Sequence, residues 1–320
     1  MVLFSAPTRV IARIERNFGL WRALAAALCA AALAPAADAG DPAAWAAHMR
    51  AGIGAHREGD YAAAAAAFEA ALAQARGFGE HDRRRADTAN NLAAVYRAQG
   101  RYREAEPLYR ESLEIYLRAL GARHADVGAA YNNLAVALEF QGRYAEAEPL
   151  YRRAVRITGA AGGESHPNHA ASLVNLARLL VRQGRLEAAE APALRGLAAA
   201  RRSLGPDHPT TAAALAYLAR LRLAQGRIGH AEALAERSLA IYERQFGDDM
   251  PHTALAVHAL AEVRQTQGRL PEAEALLRRG LAIRERSLGR EHPETLASRA
   301  ALYAFLRGEG RTEEARALFR

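Results

Sequence analysis

Four histidines, His124, His166, His208 and His292, are separated by multiples of 42 residues. Imidazole ligates metals and moves protons, so a regular histidine series raises the question of zinc or acid–base chemistry. The regularity itself argues against both. One histidine per repeating unit places neighbours about 8–10 Å apart if units stack as packed helices, whereas zinc needs every ligand about 2 Å from one ion. His166 and His169 are close in sequence, but Pro167 stands between them and no cysteine or acid pair completes a set. These histidines are expected to be linker residues near helix starts, and no metal or other cofactor is expected.

Carboxylates recur as well: Glu104 with Glu106, Glu146 with Glu148, Glu187 with Glu190, Glu272 with Glu274. Paired carboxylates can divide acid and base roles, but these follow the repeat and stand beside arginines, as solvated helix faces do. The chain carries no lysine, so a P-loop lysine and a Schiff base are excluded. It has no Gly-x-Ser-x-Gly, no His-Glu-x-x-His and no phosphate-cradling glycine loop. No enzyme activity is expected. The formal charge of +8 raises nucleic acid as a partner, yet arginines alternate with acids, as in Arg101, Arg103, Glu104 and Glu106, and no nucleic-acid partner is expected.

The elements that carry these residues are set by glycine. Gly100, Gly142, Gly184, Gly226, Gly268 and Gly310 are spaced by 42 residues, and Gly121, Gly163, Gly205, Gly247 and Gly289 keep the same spacing. Two glycine punctuations per 42 residues divide each unit into two helices. Alanine, leucine, arginine and glutamate dominate, and these are strong helix formers. Leu92, Leu134, Leu176, Leu218, Leu260 and Leu302 make one apolar column. Ala105, Ala147, Ala189, Ala231, Ala273 and Ala315 make a column of small residues, as closely crossing helices require. Neither helix can bury its stripe alone, so the units must stack into an all-α superhelical solenoid of antiparallel helix pairs.

This pattern resembles the tetratricopeptide repeat, in its 42-residue, kinesin-light-chain-like form. The resemblance rests on Asn132-Asn133-Leu134-Ala135, on Gln141-Gly142-Arg143-Tyr144, on the run from Glu146 to Ala154, and on the closing Gly-x-x-His-Pro. It implies helical hairpins around a concave groove that holds peptides, with the first helix of each unit facing inward. It does not imply motor association, because the start of the chain points outside the cytosol.

Arg9, Arg13, Arg16 and Arg22 precede an apolar stretch at residues 23–34, and Pro35 and Ala37-Asp38-Ala39 follow. That order is expected of a cleavable secretory signal at residues 1–39. The apolar stretch is shorter than the ~20 residues that span a bilayer, so no stable membrane span is expected in the mature chain. Periplasmic export is the expectation, with an uncleaved membrane anchor as its alternative. Cys29, the sole cysteine, falls inside the segment. Residues 40–320 then form the solenoid, about six full 42-residue repeats and a truncated seventh.

Along the inward columns the chain departs from strict repetition, as a binding surface would. Asn90, Asn132, Asn133 and Asn175 offer amides that could hold a peptide backbone, as asparagines do in the resembled family; an equal reading for Asn91, Asn133 and Asn175 is that they brace adjacent helices. Arg178, Arg182 and Arg220 could fork carboxylates, and Arg97, His258 and Glu262 line the same groove. The expected function is a non-enzymatic protein–protein interaction scaffold holding a peptide or protein ligand with an acidic stretch near these arginines. The alternative is a structural envelope subunit that self-associates through an uncapped C-terminal end near Leu318 and Phe319.

Overall fold

The computed structural model describes residues 40–163, 166–247 and 250–319, and the expected signal segment at residues 1–39 lies outside the described residues. Every regular element among the described residues is a helix. Six pairs succeed one another: α1 (Pro42–Glu58) with α2 (Tyr61–Arg76), α3 (Arg83–Ala98) with α4 (Tyr102–Leu120), α5 (Ala125–Phe140) with α6 (Tyr144–Gly162), α7 (Pro167–Arg182) with α8 (Leu186–Leu204), α9 (Pro209–Ala224) with α10 (Ile228–Phe246), and α11 (Pro251–Thr266) with α12 (Leu270–Leu288). A seventh pair joins α13 (Pro293–Gly308) to the short α14 (Thr312–Ala317).

The linker histidines begin the first helices. In His124, His166, His208 and His292 the ring Nδ1 accepts the backbone N–H two residues on, at 3.1–3.2 Å. Each thereby satisfies one of the donors that a helix start leaves open. Met250 holds the equivalent place before α11, and its thioether caps nothing. The second helices start differently. From α4 onward their N-cap arginines make no cap hydrogen bond; at Arg101, Arg143, Arg269 and Arg311 the guanidinium instead forks the glutamate three residues on, as Arg143 does to Glu146 and Arg269 to Glu272 at 2.7–2.8 Å.

The same arginines reach back one unit. Arg143 binds Glu106, Arg185 binds Glu148, and Arg311 binds Glu274, each at 2.6–2.8 Å. Gln141, Gln225 and Gln267 donate to Glu106, Glu190 and Glu232 of the preceding unit. The Gln-Gly-Arg turn is thus a staple between neighbours, and Glu106 and Glu148 are more than the solvated face expected of them. Beneath it the alanine column Ala105, Ala147, Ala189, Ala231, Ala273 and Ala315 is fully buried, which lets the helices of adjacent units approach closely.

The first helices from α3 to α11 also pack each on the next, which makes them the inner layer of a curved stack. The curvature is tight enough to bring the chain back on itself. The Nε2 of His292, at the start of α13, lies 3.2 Å from the carbonyl of Ala98 at the end of α3, across 194 residues. That separation is between four and five units of 42 residues, so successive turns of the superhelix touch.

Candidate functional site

The inner layer is where the aperiodic residues gather. Its centre is Glu139, a carboxylate on α5 with no solvent exposure. Arg178 on α7 forks it, Nε to Oε1 at 3.0 Å and Nη2 to Oε2 at 2.8 Å. The hydroxyl of Tyr151 donates to Oε2 at 2.7 Å and accepts from Arg178 at 3.1 Å. Arg182 adds a longer contact of 3.3 Å to Oε1. Burial pushes this carboxyl up, but the Arg178 charge, the bonds from Arg178 and Tyr151, and the Arg182 charge together hold it below the usual carboxylate range. The guanidinium of Arg178 also lies over the rings of Phe140 and Tyr217, and Phe140 stacks on Tyr102 at 4.9 Å.

This arrangement corrects the expected role of Arg178. Its fork is filled by Glu139 from the neighbouring unit, so it cannot present both N–H groups to an incoming acid. Arg220 is half-used: Nε meets Glu262 at 2.9 Å, and both side chains keep more than a third of their surface exposed. Arg182 is similarly exposed, leaning on Phe140 and Tyr144.

The asparagines divide as sharply. Asn133 Nδ2 donates to Asn90 Oδ1 at 2.9 Å, and Asn175 Nδ2 donates to Asn132 Oδ1 at 3.0 Å. These amides tie α3 to α5 and α5 to α7, so Asn133 and Asn175 take the bracing role of the two that the sequence left open. Arg97 is exposed at the end of α3, its charge bearing on Tyr109 and His252. His258 is held by Ser298, Nε2 to Oγ at 2.7 Å, with Gly280 against its ring. Burial, reinforced by the charges of Arg284 and Arg220, pushes its imidazole down to about 3; it is a neutral ring and a poor candidate for acid–base work.

Arg284, on α12, was missed by reading the first helices alone. It donates to the carbonyl of Glu294 and to Ser298 Oγ, while its nearest carboxylate, Glu294, is 3.4 Å away. Its Nε is buried without a hydrogen-bond partner, and burial lowers its pKa below the ordinary arginine value. Glu139 was visible in sequence at separations of 39 and 43 residues from Arg178 and Arg182. Nothing in a single unit says that these separations bring charges together. The inner wall therefore holds Arg97, Arg178, Arg182, Arg220 and Arg284 against Glu139, Glu262 and Glu294, an excess of positive charge.

Stacked helical pairs with a curved inner layer are what the family comparison finds. The Tetratricopeptide repeat family matches residues 42–118, 84–160, 126–202, 193–244 and 252–320. The chain belongs to the tetratricopeptide repeat family. Solved structures similar to it include the nearly identical kinesin-light-chain-type repeats from Podosopora anserina, 28% identical over 64% of this chain and 98% of that one, with a TM-score of 0.49. BtubC from P. vanneervenii is 24% identical over 77% of this chain and 91% of its own, with a TM-score of 0.52. The apo form of RapI is 15% identical over 86% of this chain and 95% of its own, with a TM-score of 0.66. The likenesses to BtubC and RapI show the fold. Among curated proteins no match is found. The expected all-α tetratricopeptide solenoid is borne out, and with it a fold whose use is protein–protein interaction.

Proposed function

We propose that this tetratricopeptide chain is a non-enzymatic adaptor that holds a peptide or protein segment along the inner wall of its superhelix. The observation that carries this reading is the imbalance of that wall. Arg182 and Arg220 are exposed and only partly neutralised, and Arg284, mostly buried, pairs with Glu294 at 3.4 Å and leaves its Nε without a hydrogen-bond partner. Charge-assisted bonds to a ligand carboxylate would complete them. An acidic stretch therefore belongs beside Arg182, Arg220 and Arg284, while Arg178 keeps its internal partner.

The adaptor works, on this reading, in the periplasm after removal of residues 1–39. Affinity capture from an envelope fraction, followed by binding of the identified segment, tests it. Arg182→Gln with Arg220→Gln should weaken capture at least tenfold while circular dichroism stays unchanged; unaltered affinity would remove the acidic-segment reading. Mass spectrometry of the protein recovered from its own cells should find a chain starting at Gly40, and a chain retaining its first residues would point to a membrane anchor.

A second reading, a self-associating structural subunit, is favoured by Phe319, 57% exposed against Tyr303 and Arg299. Sedimentation over a concentration series separates the two: a monomer supports the adaptor, a concentration-dependent oligomer lost in Phe319→Ser supports the subunit.

A further inference from the structure

The contact between His292 and Ala98 belongs to a small seam between the second unit and the seventh. Gly100, in the turn from α3 to α4, sits so close to α13 that an added Cβ would lie 2.4 Å from Pro293 Cδ and 3.1 Å from the His292 ring. The equivalent turn glycines Gly142, Gly184, Gly226 and Gly268 meet nothing within 4 Å. The turn is the same in every unit; only at Gly100 is it an interface. His292 shows the same contrast with His208. Both cap a helix through Nδ1 at 3.1 Å, and His292 alone of the two also reaches another unit through Nε2. Charges lie across it as well: Glu294 of the seventh unit acts on Tyr102 of the second, and Arg97 of the second acts on His252 of the neighbouring sixth.

The end of α3 and the start of α13 therefore meet across one turn of the superhelix, on the side of the space that the inner layer encloses. We propose that the seam of Ala98, Gly100, His292 and Pro293 shuts the side of the lumen, so that an extended chain enters along the axis and bulky partners reach the inner arginines only when the seam parts. The inference goes beyond the adaptor reading, and testing it requires no identified ligand.

The test uses two matched pairs in the full chain. Gly100→Ala and Gly142→Ala strain their turns alike, since φ is 73° and 79°, but only the first forces α13 away. His292→Ala and His208→Ala each remove a helix cap, but only the first removes the seam bond. Arginine modification is followed by loss of tryptic cleavage, with free phenylglyoxal and with phenylglyoxal coupled to dextran. In the wild type the free reagent should modify Arg220, and the dextran conjugate should spare it while modifying the outward Arg110. Gly100→Ala and His292→Ala should raise the rate of conjugate attack on Arg220 several-fold and increase the radius of gyration in small-angle scattering. Gly142→Ala and His208→Ala should do neither. The proposal is overturned if the conjugate modifies Arg220 in the wild type as fast as Arg110, or if the members of each pair respond alike. Circular dichroism checks that each variant is folded, and the histidine pair decides the matter should Gly100→Ala fail to fold.

Discussion

Arginine and glutamate meet in two regions of this molecule, and the same pair does different work in each. On the outer turns, Arg143 binds Glu146 and Glu106 where the guanidinium is more than a third exposed. The arrangement recurs at Arg269 and Arg311. In the inner layer, Arg178 meets a Glu139 with no exposure, and among the described residues the arrangement occurs once. Exposed pairs are screened by water and salt and contribute little each. They can be repeated because losing one costs little. A buried pair balances a large desolvation penalty against close, fully bonded contact, and removing one partner strands the other. The periodic charges recur along the outer turns, and the buried pair marks one place in the inner layer.

Breaking the buried pair should have the largest effect. Glu139→Gln leaves the Arg178 guanidinium without its counter-charge and should cost about 3 kcal/mol of stability, measured by urea unfolding. A loss no greater than that of a surface substitution would mean that water enters the site and that burial is not what distinguishes it.

The next effect lies on the same inner wall and depends on pH. The folded-state pKa of His258 is lowered to about 3 from an ordinary 6.5. Protonation therefore favours the unfolded chain. The stability from this residue is complete above pH 6.5 and declines as pH falls from there toward 3. At pH 5 the decline amounts to about 2 kcal/mol. His258→Gln should remove that part of the acid sensitivity, shown by unfolding curves at pH 7 and pH 5. An unchanged difference between the two pH values would place the sensitivity in His252 or His292, whose rings are also pushed down.

A smaller loss tests the third member of the buried cluster. Tyr151→Phe removes one hydrogen bond to Glu139 and one acceptor for Arg178, for a cost of about 1–2 kcal/mol. The cost should shrink when Glu139 is already glutamine, because the two changes share a partner. Strict additivity in that double-mutant cycle would show that the hydroxyl acts independently of the carboxylate.

The smallest effect is expected at the outer staple. Glu146→Gln should shift the melting midpoint by less than any of the three inner substitutions, and the shift should vanish in molar salt. A midpoint loss comparable with that of Glu139→Gln would erase the distinction between the two regions.

Particular residues mark what was legible. The Leu92 and Ala105 columns, the turn at Gly142 and the helix starts at the linker histidines all follow from contacts within one unit or with the next. The bracing of Asn133 against Asn90 was one of two readings that the sequence allowed, because the same amide can face a peptide or a neighbour. Arg178 looks like a ligand fork in sequence because Glu139 lies 39 residues away in the preceding unit, and Arg284 stands on a second helix, outside the inner layer that the repeat points to.

The sequence by itself determined the helices, their lengths and the 42-residue stacking, since a repeated local pattern can bury its apolar stripe in only one way. Only the tertiary structure decided that Glu139 fills Arg178, that Arg284 joins the inner wall, and that Gly100 meets Pro293. These depend on the small rotation between neighbouring units, which accumulates along the stack. A rotation of that kind is set by packing across many side chains, and no single unit carries its value.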